Sequence, residues 1–124
     1  MFELTEKYVS ILGDSISTYK GVSNDATANS TIGDNPYFYQ WEFPLEKTYW
    51  IRILKTLDMR LCVNNSWPGG NLSGIDNYNS GVNRVEQLSR NDGTSPDLII
   101  IFMGINDLGC GVDISLFSAD YEKT

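Results

Sequence analysis

Three apolar runs punctuate the chain, and each gives way to a polar block containing glycine. The first, over residues 8–12, carries Val9, Ile11 and Leu12 and stops at Gly13-Asp14-Ser15. The second, over 60–63, carries Leu61, Cys62 and Val63 and runs into Asn64-Asn65-Ser66-Trp67-Pro68-Gly69-Gly70-Asn71. The third, over 98–103, is apolar at every position and ends in Gly104-Ile105-Asn106-Asp107. Short apolar runs bounded by turn residues predict buried strands, and a run without polar alternation predicts a parallel strand covered on both faces.

Between the strands the period changes. Tyr49, Trp50, Ile53, Leu54 and Leu57 recur at helical spacing, predicting an amphipathic crossover helix over 45–57 with Pro44 as its opening residue. Val82, Val85 and Leu88 form a shorter stripe that closes near Asn91-Asp92-Gly93, and scattered apolar positions over 112–121 begin a third helix. The order is that of the first half of a flavodoxin-like α/β fold, a three-layer sandwich around a parallel sheet. Right-handed crossovers would carry the three polar blocks to the same end of that sheet. Residues 1–124 read as a single domain without repeat, low-complexity tract or linker. The polar stretch 21–36 is too long for a routine connection, and the aromatics of Tyr37-Phe38-Tyr39-Gln40-Trp41 after it either pack that loop onto the core or line an acyl or sugar pocket.

The blocks carry candidate chemistry. A serine where a buried strand stops is held at the rim of a sheet with its hydroxyl free to attack, which makes Ser15 a candidate nucleophile; a turn serine that caps the next helix has the same local sequence. Paired glycines beyond a strand let backbone N–H groups approach a ligand, and an asparagine amide is a neutral donor to a developing oxyanion. Each block alone also fits an ordinary Pro-Gly or Asx turn.

Taken together and in this order, Gly13-Asp14-Ser15, Asn65-Ser66-Trp67-Pro68-Gly69 and Gly104-Ile105-Asn106-Asp107 resemble the SGNH hydrolases, also called GDSL lipases and esterases. The resemblance implies an α/β sandwich and ester hydrolysis by acyl transfer through Ser15. It implies oxyanion donors from the Ser15 N–H, the Gly69 N–H and the Asn106 side chain, with Gly69 preferred over Gly70 by its spacing from Asn65. Substrates of that family are acylated sugars, lysophospholipids and short-chain esters, and no cofactor is implied. Asp14 and Asp107, beside these positions, are expected to support loops. The family's fourth catalytic residue is a histidine in an Asp-x-x-His block near the end of a longer domain, and this sequence has no histidine. The chain is therefore expected to be the N-terminal part of such a domain, lacking its last strands and helix and nearly inactive alone. The alternative is a binding module or pseudoenzyme that keeps the oxyanion pocket without the base. A phosphate-cradling turn at Gly13-Asp14-Ser15 is disfavoured, since no lysine follows in the P-loop arrangement.

Composition narrows the partners. A chain of 124 residues with 41% hydrophobic and 12% aromatic residues has the means to bury a core, and a net charge of −7 disfavours nucleic acid and anionic membrane surfaces. Isolated Cys62 and Cys110 and the absence of histidine leave no metal-ligand spacing. The N-terminus reads as neither a signal peptide nor a membrane span, so a cytoplasmic location is expected. An unpaired edge on the last strand is expected to drive self-association or to need a C-terminal piece as cover.

Overall fold

The computed structural model describes residues 3–22, 42–75, 77 and 79–124. The aromatic cluster 37–41 and most of the stretch 21–36 lie outside the described residues. Strands β1 (Tyr8–Gly13), β2 (Arg60–Ser66) and β3 (Leu98–Phe102) form a parallel sheet in the order β2-β1-β3. This is the α/β arrangement that the pattern predicts, with β1 in the middle.

The pleat sends alternate residues of β1 to opposite faces. Val9 and Ile11 enter a core with Tyr19, Trp50, Leu54 and Met59, so helix α1 (Tyr49–Thr56) covers that face. On the other face the buried hydroxyl of Ser10 donates to the Leu88 carbonyl at 2.6 Å. That bond fastens a short segment made of helix α2 (Gly81–Arg84) and the 3-10 turn Val85–Leu88. Covering segments thus flank β1 on both faces.

Several bounds differ from the sequence pattern. The stripe over 45–57 is broken: Leu45–Lys47 forms a 3-10 turn, Thr48 is extended, and α1 starts only at Tyr49. The Thr48 hydroxyl donates to the Leu45 carbonyl at 2.7 Å, so it closes the turn behind it instead of capping the helix ahead. β2 continues through Asn64, Asn65 and Ser66, all buried, because their side chains find partners within the molecule. The stripe Val82, Val85, Leu88 winds tighter than an α-helix in its second half. Two short helices follow β3, α3 (Ile105–Gly109) and α4 (Ile114–Tyr121), the first of which the pattern does not predict.

Among the described residues β3 stands at an edge of the sheet, and it is not covered on both faces. Its outer side pairs with nothing among the described residues, and Ile99 and Phe102 are 40% and 45% exposed. Cys62 is buried and Cys110 exposed, and neither is in a disulfide. No helix among the described residues is long and apolar enough to cross a membrane, and these residues contain no cluster of three His, Cys, Asp or Glu placed to hold a metal.

Candidate active site

Register brings the three polar blocks to one level. Gly13 pairs with Ser66 on one side and with Phe102 on the other, so Asp14, Trp67 and Met103 leave the sheet side by side. Carboxyl ends of parallel strands are where open α/β sheets place ligands. Gly13 is required by close approach: a Cβ there would overlap the Ser17 side chain and lie 2.6 Å from the Ser66 hydroxyl.

Beyond β1 the chain turns through the 3-10 turn Ser15–Ser17. Asp14 caps it, accepting from the Ile16 N–H at 3.0 Å through its carboxylate and from the Ser17 N–H at 3.1 Å through its carbonyl. The Ser15 carbonyl is taken by the Thr18 hydroxyl at 2.7 Å, which fixes the turn's far side. Ser15 itself is partly exposed, and no described residue hydrogen-bonds its hydroxyl. Asp14 is almost fully buried. Burial raises its pKa above the ordinary 3.8, opposed by the Ile16 N–H and by the positive charge of Arg84.

Trp67-Pro68-Gly69-Gly70 closes a turn in which the Gly70 N–H donates to the Trp67 carbonyl at 3.0 Å. Proline at the second position and φ of +70° at Gly69 are the marks of a type II turn, whose third position selects glycine. The turn consumes the Gly70 N–H and leaves the Gly69 N–H outside its hydrogen bond.

Asn106 lies in the first turn of α3, and its amide donates to the Gly70 carbonyl at 2.9 Å. An NH₂ group has two hydrogens, so one remains for another acceptor. The adjacent Asp107 is buried and receives the N–H groups of Leu72 at 2.8 Å and Ser73 at 3.0 Å, together with the Ser73 hydroxyl. α3 therefore grips the loop after β2 at two points, and α4 adds a third where Asp120 accepts from the Gly74 N–H at 3.0 Å. Asn106 and the Gly69-Gly70 turn are joined directly. Ser15 stands at the same end of the sheet through strand register.

Arg84 is the residue that the sequence pattern does not single out. It is 1% exposed, and its guanidinium donates to the Gly13 carbonyl at 3.1 Å and to the Asn65 carbonyl and side-chain oxygen at 2.8 and 2.9 Å. It also lies 3.5 Å from the Met103 sulfur. One planar fork thus touches all three strand ends. Burial lowers its pKa to about 10, partly countered by Asp14, so it remains a cation at neutral pH. Below the site, Ser17 and Tyr49 share a hydrogen bond of 2.7 Å, and burial pushes the Tyr49 phenol up to about 12.

Residues 7–124 match the family model of GDSL-like lipases and acylhydrolases, and the chain belongs to that family. A crystal structure of a protein from Bacteroides ovatus described as a GDSL-like lipase is 31% identical, with a TM-score of 0.68 over 86% of this chain and 52% of its own. One from Bacteroides uniformis, described in the same words, is 28% identical, with a TM-score of 0.66 over 88% of this chain and 52% of its own. AlinE4, an SGNH-hydrolase family esterase, shares the fold at 16% identity, with a TM-score of 0.57 over 99% of this chain and 52% of its own. The chain thus spans about half the length of each of these structures. No curated protein matches it.

Proposed function

We propose that this chain carries the nucleophile and oxyanion half of an acyl-ester hydrolase. Ser15 Oγ attacks the ester carbonyl, and the charge that develops on the carbonyl oxygen is received by the Ser15 N–H, the Gly69 N–H and the second hydrogen of the Asn106 amide. Collapse of the tetrahedral intermediate expels the alcohol and leaves an acyl-serine, which water hydrolyses to the carboxylic acid. Substrates are small esters, with acylated sugars, lysophospholipids and short-chain esters as the candidate classes.

The observation that carries this reading is the division of labour in the second block. The Gly70 N–H closes the turn and the Gly70 carbonyl holds Asn106, so Gly69 is the glycine left to donate. The proton of Ser15 needs an acceptor that the sequence does not supply as histidine. Hence turnover by this chain alone is expected to be lower by about three orders of magnitude or more than that of a relative with a complete triad. The alternative reading is a binding module that keeps the oxyanion pocket.

Hydrolysis of p-nitrophenyl acetate with added imidazole separates the two readings. The hydrolase reading expects a protein-dependent rate that rises with imidazole and is absent in Ser15→Ala. A rate equal in the two proteins at every imidazole concentration supports the binding module instead.

A further inference from the structure

Strand β2 gains one residue on β1. Val9 faces Leu61 and Ile11 faces Asn64, so Ser10 alone stands opposite both Cys62 and Val63. Such a bulge is rare between parallel strands, and it reverses the side to which every later residue of the strand points. The side chains show the reversal. Cys62 and Asn65 are three positions apart, which in an unbroken strand puts two residues on opposite faces. Yet the Cys62 thiol is directed at the Leu88 carbonyl, 3.8 Å away, and the Asn65 amide donates to the Gln87 side chain at 3.0 Å, so both meet the 3-10 turn Val85–Leu88. Asn64 points the other way and donates to the Ser17 carbonyl at 2.9 Å. Without the extra residue Asn65 would face away from Arg84, and the turn that carries Gly69 would stand one residue higher above Gly13, about 3.3 Å.

A bulge disrupts the ladder, and here two carbonyls of β2 go to one side chain. Arg90 Nε donates to the Cys62 carbonyl at 3.0 Å, and Nη2 donates to the Leu61 carbonyl at 2.5 Å. The guanidinium carbon lies 5.4 Å from the centre of the Tyr8 ring, so the fork reaches both strands beside the point where they fall out of step. Arg90 is itself held, its N–H donating to the Thr94 carbonyl at 2.8 Å and its carbonyl accepting from the Gly93 N–H at 3.0 Å. We propose that Arg90 is a positioning residue for the second polar block. It locks the bulge, and the locked bulge turns Asn65 toward Arg84 and sets the height of the Gly69 turn. The consequence for chemistry rests on Gly69 having the role given above. Arg90 acts through the backbone of β2 and not on the reacting atoms.

Three variants test this. Arg90→Met keeps much of the side chain's length and removes its donors, Arg90→Lys keeps a cation without the fork, and Leu54→Val, in the core beneath α1, controls for lost stability alone. NMR of each folded protein reads the contact between the Asn65 amide and the Gln87 side chain, and acetylation of Ser15 by p-nitrophenyl acetate with imidazole reads the chemistry. In Arg90→Met the Asn65 contact should be lost, the Gly69 and Gly70 N–H resonances should shift, and acetylation should slow about a hundredfold, the scale of a misplacement of about 1 Å. Arg90→Lys should show smaller losses of the same kind, and Leu54→Val should show neither. A native Asn65 contact in folded Arg90→Met overturns the proposal, as does equal slowing in Leu54→Val. If Arg90→Met does not fold, Arg90→Lys decides, since one point donor for two carbonyls should still weaken the Asn65 contact and an unchanged contact overturns the proposal. The two readings fail separately. A native chain that is not acetylated on Ser15 removes the nucleophile while loss of the Asn65 contact still supports Arg90, and native acetylation with an unchanged contact in Arg90→Met does the reverse.

Discussion

The guanidinium of Arg84 donates to the Gly13 carbonyl at 3.1 Å, joining a buried cation on α2 to the last residue of β1, two positions before Ser15. The same fork holds Asn65 on β2, so the heights of two strand ends are set by one side chain. Lysine cannot reproduce this, because an ammonium is a point donor without the planar fork. Arg84→Lys should lower the unfolding free energy by about 2–3 kcal/mol, the cost of leaving buried acceptors short of donors. Urea unfolding measures it, and a loss of only a few tenths would show that the fork is dispensable.

Asp14 gives a pH dependence of definite sign. Because burial holds its pKa above 3.8, the folded chain keeps a proton that the unfolded chain has lost. Stability contributed by this group is therefore present below the unfolded value, is lost as pH rises through the window to the folded value, and stays lost above it. Asp14→Asn keeps an oxygen for the Ile16 N–H and removes the ionisation. It should unfold at a higher temperature than the native chain at neutral pH, with the advantage vanishing by about pH 4. A variant less stable at neutral pH would mean that attraction to Arg84 outweighs burial.

The three strands were readable from their apolar composition, but their order was not, and β3 lies at an edge of the described sheet instead of at its centre. Leu98 to Phe102 has no polar residue, and Val9, Ile11 and Leu12 mark β1 as clearly. Other features escaped for physical reasons. Apolar character stops at Val63, yet β2 runs on to Ser66 because Asn64 and Asn65 satisfy their amides on Ser17, Gln87 and Arg84, partners distant in sequence. Arg84 reads as an ordinary charged flank of a short helix, since only the fold shows three strand ends around it. α3 is built from Ile-Asn-Asp-Leu-Gly, in which Asn, Asp and Gly are poor helix formers, and it is held by tertiary bonds from Asn106 and Asp107. At the candidate site the motifs name Ser15, Gly69 and Asn106, whereas the use of the Gly70 N–H in closing the turn is visible only in the fold.

The β3 edge should associate. Ile99 and Phe102 on the strand, with Ile105, Leu108, Ile114, Leu116 and Tyr121 beyond it, place exposed apolar surface beside strand backbone that no described strand pairs. Sedimentation over a dilution series should show a mass that rises with concentration, and Ile99→Lys should suppress the rise by charging the edge. A monomer at every concentration would contradict this.

The most direct test of the account is the covalent state of Ser15. Without a histidine to activate water, an acyl group transferred to Ser15 should be released slowly and accumulate. Native chain treated with p-nitrophenyl acetate and imidazole, then digested and mapped by mass spectrometry, should carry acetyl on Ser15. The rate of its appearance should fall about a hundredfold or more in Asn106→Ala, as expected for loss of one oxyanion donor. Acetylation that bypasses Ser15, or that proceeds equally fast without the Asn106 amide, would contradict the proposed site.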